Sequence, residues 1–234
     1  MIDVRRAIIE ALPRDLLLDL EDRIAAEAMK SFEVVRDHLT LNAKRSREAV
    51  GQIRFRAQEQ GFEEVVLKHG GIVITDEAMP GTELKIFQPF ARFQGPRIGV
   101  ILGFASMPEP RKKPPRNQSR GAGVTANLFL QPELDLGGPA PRATDIFVLF
   151  LVARDRQRAG MIEEVAVGVI GADYEDFLFY ESLDAFLSDY GAPSPSPVPV
   201  AGDGGAAIKL RTRRPYVPPE QQQRPDEAED SAAE

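Results

Sequence analysis

The chain of 234 residues contains no cysteine and no tryptophan, and its two histidines, His38 and His69, fall in separate segments. Without cysteine there is no disulfide, no thiolate nucleophile and no Cys/His zinc site, and two scattered histidines do not supply the spaced ligands that a structural zinc needs. His69, next to Gly70-Gly71, reads as the cap of a helix C-terminus, and His38 as a helix-face residue. No G-x-x-x-x-G-K-(S/T) phosphate loop is present, and Ser119 lacks the glycine that a G-x-S-x-G nucleophile elbow places two residues before it. The longest apolar run, Ile146 to Ala153, is far short of the roughly 20 residues that cross a bilayer. The N-terminal residues lack the basic-then-apolar order of a secretory signal, so a cytoplasmic protein with no membrane partner is expected.

What is present is charge, unevenly placed. The net charge of −7 is concentrated in residues 220–234, where Glu220, Asp226, Glu227, Glu229, Asp230 and Glu234 face only Arg224. The rest is nearly neutral and carries basic clusters. Arg111, Lys112, Lys113, Arg116 and Arg120 form one, with no acid among them. Lys44, Arg45, Arg47, Arg54 and Arg56, opposed by Glu48, form a second, and Lys209, Arg211, Arg213 and Arg214 a third. An acidic total therefore coexists with surfaces suited to a polyanion.

Periodicity divides the chain. Residues 3–68 carry apolar positions at three- and four-residue steps and read as three helical stretches: Ile8 to Leu20, Glu21 to Leu39, and Ser46 to Lys68 with a break near Gly61. The period then becomes two. Strands are expected at Ile72–Thr75, Glu83–Phe87, Arg97–Ala105, Val124–Leu130, 145–153, 161–170 and Phe177–Tyr180, then a closing helix, Leu183–Tyr190. The 145–153 segment is apolar at nearly every position, as in a strand covered on both faces, and should pair antiparallel with 161–170. Ala166 and Gly168 suggest a packed helix or sheet close to one face there. The expected fold is α+β: a helical N-terminal third, a mostly antiparallel β-sheet, a closing C-terminal helix and a disordered tail. One domain is placed at 1–190, with a helical subregion 3–68 and a sheet-rich region 72–190. The Pro/Ser/Gly-rich, acidic 191–234 is expected to be largely disordered.

Three segments carry candidate chemistry. In 111–120, Arg111, Lys112, Lys113, Arg116, Asn117 and Arg120 suit phosphate contacts on an exposed loop, and Phe87, Phe90 and Phe93 among Lys85, Arg92 and Arg97 suit either base stacking or a core. Gly121-Ala122-Gly123-Val124-Thr125-Ala126 fits a dinucleotide-binding string, yet no strand leads into it and no helix is expected to leave it. Asp76 followed by Glu83-Leu84-Lys85 resembles the D…(D/E)-x-K pattern of the PD-(D/E)XK nuclease superfamily, without the proline before Asp76. That resemblance implies a divalent-metal-dependent nuclease, with Mg²⁺ or Mn²⁺ held by Asp76 and Glu83, Lys85 positioning or activating water, and Glu63 or Glu64 as a further carboxylate. The favoured reading of the same residues is a surface hairpin whose charges are solvated.

The favoured expectation is a non-enzymatic interaction protein with no cofactor, binding nucleic acid or a protein partner through the basic loop. The nuclease is the alternative. A structural homo-oligomer formed through the amphipathic N-terminal helices is a third reading.

Overall fold

Asp3 starts the first helix, α1 (Val4–Ala11), by accepting the Arg6 backbone N–H at 3.0 Å. Pro13, which cannot donate within a helix, breaks the chain and leads into α2 (Arg14–His38). The division expected after Leu20 does not occur, because Leu16, Leu17, Leu20, Ile24, Ala28 and Val35 continue one buried stripe along α2. Asn42 caps α3 (Ala43–Lys68) through the Arg45 N–H at 3.0 Å. That helix passes Gly61 without a break, since Gly61 lies against Arg23, whose side chain a Cβ there would approach to 3.0 Å. His69 does cap the helix end, 2.9 Å from Asp19, and Gly70 turns the chain at φ +79°. The computed structural model describes residues 2–75, 78–80, 82–131, 145–188 and 190. The expected tail at 191–234 lies outside them.

The sheet has six strands in sequence order: β1 (Ile72–Ile74), β2 (Phe90–Phe93), β3 (Gly99–Met107), β4 (Asp145–Arg154), β5 (Ile162–Ile170) and β6 (Phe177–Ser182). Every neighbouring pair is antiparallel except β3 and β4, which run parallel with Gly99 opposite Asp145 and Met107 opposite Ala153. β4 and β5 are antiparallel neighbours and β4 is interior, as its two-sided apolar sequence predicts. Two expected strands are absent. In 83–87 only Lys85 pairs, in an isolated bridge with Ala78, and β2 falls instead on the aromatic residues that follow. Residues 125–130 form a 3₁₀ helix directly after the short helix α4 (Gln118–Val124), because a parallel β3–β4 pair needs a crossover. A last helix, α5 (Leu183–Ser188), closes the described body.

Alternating side chains of the strands feed two cores. On one face Val100, Leu102, Phe104, Ile146, Val148, Phe150 and Val167 pack under α1, α2, α3 and α5. On the other, Ile101, Ala105, Phe147, Leu149, Leu151 and Ala166 pack with Met79, Ile86, Val124 and Tyr174. Each fully buried aliphatic or aromatic side chain contributes about 1.5–3 kcal/mol, which fixes the register of β4 from both sides. Gly168 leaves room for the side chains of Leu151 and Phe177 from the neighbouring strands β4 and β6. Asn127, fully buried, ties the 3₁₀ helix to the sheet by donating to the Phe147 and Ile170 carbonyls and accepting the Phe147 N–H. Among the described residues no helix is long and apolar enough to cross a membrane.

Candidate functional site

Because β3 and β4 are parallel, both chains leave the sheet at the same end, where the α2–α3 hairpin also has its tip. The β4–β5 turn is built by Asp155. One carboxylate oxygen accepts the N–H groups of Gln157 and Arg158 at 2.8 and 2.9 Å, and the other accepts Arg158 Nε at 2.6 Å. These bonds, the Arg158 N–H first, hold the Asp155 carboxyl below the usual carboxylate range. Gly160 completes the turn at φ +79°, close enough to α2 that a Cβ would lie 3.1 Å from Met29 Sδ and from Phe32 Cβ. The turn is thereby pressed onto α2, and its arginines are carried towards α3.

Between them lies a cleft of about 500 Å³, lined by Phe32, Arg47, Val50, Gly51, Arg54, Arg154, Asp155, Arg156 and Ala159 among others. Positions 47, 50, 51 and 54 share one face of α3. Four arginines thus meet one carboxylate, and that carboxylate is committed to its own turn. Arg156 is shared with the Pro108 carbonyl at 3.2 Å and Glu109 at 2.8 Å, and Arg47 reaches the Ala43 carbonyl at 3.3 Å. Arg54 is half-buried, and neither it nor Arg154 has a hydrogen-bond or ion-pair partner among the described residues. Burial, and after it the Arg154 guanidinium, pushes Arg54 below the ordinary arginine value while leaving it charged. Among the described residues no carboxylate offsets either effect.

The basic loop 111–120 is mostly occupied with the fold. Arg120 is buried and donates to the Pro115 carbonyl at 2.6 and 3.1 Å and to Gln88 at 3.2 Å. Asn117 caps α4 through the Arg120 N–H at 2.8 Å and donates to the same Gln88 oxygen at 2.8 Å. Lys113 donates to the Tyr174 carbonyl at 2.9 Å, Lys112 pairs with Glu109, and Arg116 lies over the Tyr174 ring. Arg111, at φ 62°, donates its backbone N–H to Tyr180 Oη at 3.1 Å. Burial, and then the hydrogen bond given to Glu164, raises the Tyr180 phenol well above its ordinary value.

Of the other candidate residues, only some fall among the described ones. Asp76 lies outside the described residues, Glu83 and Lys85 are exposed on the loop before β2, and Glu64 is paired with Arg23 at 2.7 Å. Among the described residues no group of three acidic or histidine side chains is placed to hold a metal ion. Phe90 and Phe93 are core residues on opposite sheet faces and only Phe87 is exposed, so the three do not form a stacking platform. The glycine string 121–126 is a packing device: a Cβ on Gly123 would come within 2.5 Å of the Phe147 ring. The apolar stripes of α1–α3 are covered by the chain's own sheet, with Val34, Leu39, Leu41 and Ile53 exposed beyond them.

Sequence reasoning marked Arg47 and Arg54 within a basic cluster, but it did not connect them with Arg154 and Arg156. The surplus of arginine over acid in the 154–158 turn was the available signal; the pairing itself arises only in the fold. No protein-family model matches the chain, and no curated protein or solved structure matches it.

Proposed function

We propose that this is a non-enzymatic interaction protein that binds nucleic acid through its basic end. That end comprises the arginine cleft, with Lys44 and Arg45 at the start of α3, and Arg111 and Lys112 after β3 as flanking charge. The observation that carries the reading is Arg54: a half-buried guanidinium beside that of Arg154, neither with a partner among the described residues, which the fold holds at a cost and an external anion would neutralise. Arginine forks match phosphate oxygens in paired hydrogen bonds, and a low-dielectric wall of Phe32 and Val50 strengthens each contact. A cytoplasmic setting and a monomer or an oligomer are equally compatible with that surface.

The test is the salt dependence of binding to single-stranded and duplex oligonucleotides. Each phosphate neutralised contributes a slope of about −0.7 to −0.9 in log K against log salt, so engagement of the four cleft arginines gives a slope near −3. Arg47→Ala with Arg154→Ala should flatten that slope by about two and weaken binding more than Arg111→Ala with Arg116→Ala. Equal effects of the two pairs would move the site to the 111–120 loop. Oligonucleotide cleavage that needs Mg²⁺ and is lost in Lys85→Ala would replace the reading with the nuclease.

A further inference from the structure

We infer that the cleft between α3 and the β4–β5 turn is a discrete pocket for a multiply charged phosphate group, a phosphomonoester or a polyphosphate. It is more than a stretch of surface that meets backbone phosphates one at a time. The inference rests on the basic-end reading above and deepens it. Three features single the cleft out.

The first is charge density. A phosphodiester strand carries one charge per phosphate, whereas a terminal phosphate carries about −1.5 to −2 and a polyphosphate more. Asp155 is paired with Arg158 and Arg156 with Glu109, which leaves Arg47, Arg54 and Arg154 as a net charge of +3 in the cleft. Asp155 spends its oxygens on the N–H groups of Gln157 and Arg158 and on the Arg158 guanidinium, so it does not quench that charge. One diester leaves most of it unmatched. A di- or polyanionic group matches it.

The second is concavity. The cleft's volume of about 500 Å³ is in the range that holds a small ligand, and its apolar side is supplied by Phe32, Val50, Ala159 and Gly160. Gly51, in the middle of α3, faces open space, with nothing within 4 Å of where a Cβ would stand. The helix keeps a weak helix-former at the wall of the cleft, and the room it leaves is available to a ligand.

The third is depth. Arg54 is the innermost charge, on the regular part of α3, whereas Arg154 and Arg156 are exposed at the turn. A phosphate group seated on Arg54 is capped from outside by the turn arginines. An unbroken strand passing over the surface contacts the exposed pair and misses Arg54.

The shared chemistry has two sources, a free nucleotide and the phosphorylated end of a strand. The experiment uses the full-length protein at low salt with calorimetric detection. The probes are inorganic pyrophosphate, a nucleoside diphosphate, and one oligonucleotide with either a 5′-phosphate or a 5′-hydroxyl. Pyrophosphate should bind, and Arg54→Met and Arg154→Ala should each weaken it about ten- to hundredfold, the loss expected for one charged hydrogen-bonding partner. Arg54→Lys should recover part of that loss, and Arg116→Ala, outside the cleft, should leave affinity unchanged. Arg154 is exposed on a turn, so its variant tests the pocket even if Arg54→Met fails to fold. Tighter binding of the nucleoside diphosphate identifies a free nucleotide, and tighter binding of the 5′-phosphorylated strand identifies an end. Pyrophosphate binding unchanged in both cleft variants overturns the pocket. So does its absence together with equal, salt-sensitive binding of both oligonucleotides, which leaves the basic-end reading standing. Failure of every probe removes both.

Discussion

Replacing Arg54 with methionine should make the unliganded protein more stable, a sign opposite to that of most half-buried substitutions. Arg54 sits part-way into the cleft, is depressed by burial and by Arg154, and has no carboxylate that offsets these among the described residues. Leaving a polar or charged group uncompensated costs about 1–3 kcal/mol in proteins, and the remaining exposure and solvent screening bring the figure to about 1 kcal/mol. Methionine keeps the unbranched apolar stem, retains helix propensity on α3 and loses the charge. For a domain of this size 1 kcal/mol corresponds to a rise of about 2–4 °C in Tm. The assay is thermal unfolding by circular dichroism at low salt and near 1 M salt, where the Debye length falls to about 3 Å and the part of the gain due to repulsion from Arg154 shrinks. Pyrophosphate in hundredfold excess over the parent's Kd should then stabilise the parent by about 2.7 kcal/mol and Arg54→Met, with its ten- to hundredfold weaker binding, by only about 0.4–1.4 kcal/mol. A fall of several degrees in Tm for the unliganded variant would refute the reasoning, since it would mean that Arg54 supports the fold and is not held against it.

Three further outcomes are expected. Glu21→Gln should raise stability near neutral pH, because burial first, and then Asp184 and Asp22, raise the Glu21 carboxyl, with Glu163 and Glu164 lining the same acidic cleft. A folded-state value above the unfolded one gives a contribution that is complete below the ordinary carboxylate pKa of about 4.3 and is lost as pH rises through the raised value. The gain should therefore be under about 1 kcal/mol at pH 7 and vanish near pH 3, which thermal melts at the two pH values would show. Gly123→Ala should destabilise by about 1–2 kcal/mol net, since its methyl meets the Phe147 ring at 2.5 Å while gaining helix propensity; Gly51→Ala, with open space around it, should stabilise by about 0.5–1 kcal/mol, and urea midpoints test the pair. Deleting residues 220–234, which carry six acids against one base, should tighten oligonucleotide binding at low salt and have no effect at high salt, because a tethered polyanion competes electrostatically for the same arginines.

The elements that were legible in the sequence are those whose burial is dictated by one repeating pattern. β4 reads as an interior strand because it is apolar on both faces, and both of its faces are covered. The α2 stripe is equally plain, although it runs from Pro13 through Leu20 without the division expected there, because the buried positions continue unbroken. The 124–130 segment misled because a short run such as Leu128-Phe129-Leu130 has no period long enough to separate strand from helix. What decides it is Asn127, whose three hydrogen bonds to the sheet exist only once β4 and β5 are in place.

The candidate site was less legible for a related reason: charge density along a sequence is not charge available at a surface. Arg111 to Arg120 is the densest basic run, yet the fold consumes Lys113, Asn117 and Arg120 in anchoring the crossover to Gln88, Pro115 and Tyr174. A base satisfied by carbonyls inside the chain has its donors already directed and offers an external phosphate little. Arg54 stands in a helix with mixed charge, and nothing local distinguishes it from Arg56, which pairs with Glu59 at 3.0 Å. The difference is made by residues a hundred positions away. Gly160 fits the β4–β5 turn against Phe32 and Met29, the turn brings Arg154 to Arg54, and Asp155 is withdrawn into the turn's own hydrogen bonds. Like charges held together without a counter-charge oppose folding, and an external anion would relieve that opposition. The cleft is therefore marked by what it costs the fold, while the loop, rich in bases and mostly engaged, is marked by what it contributes.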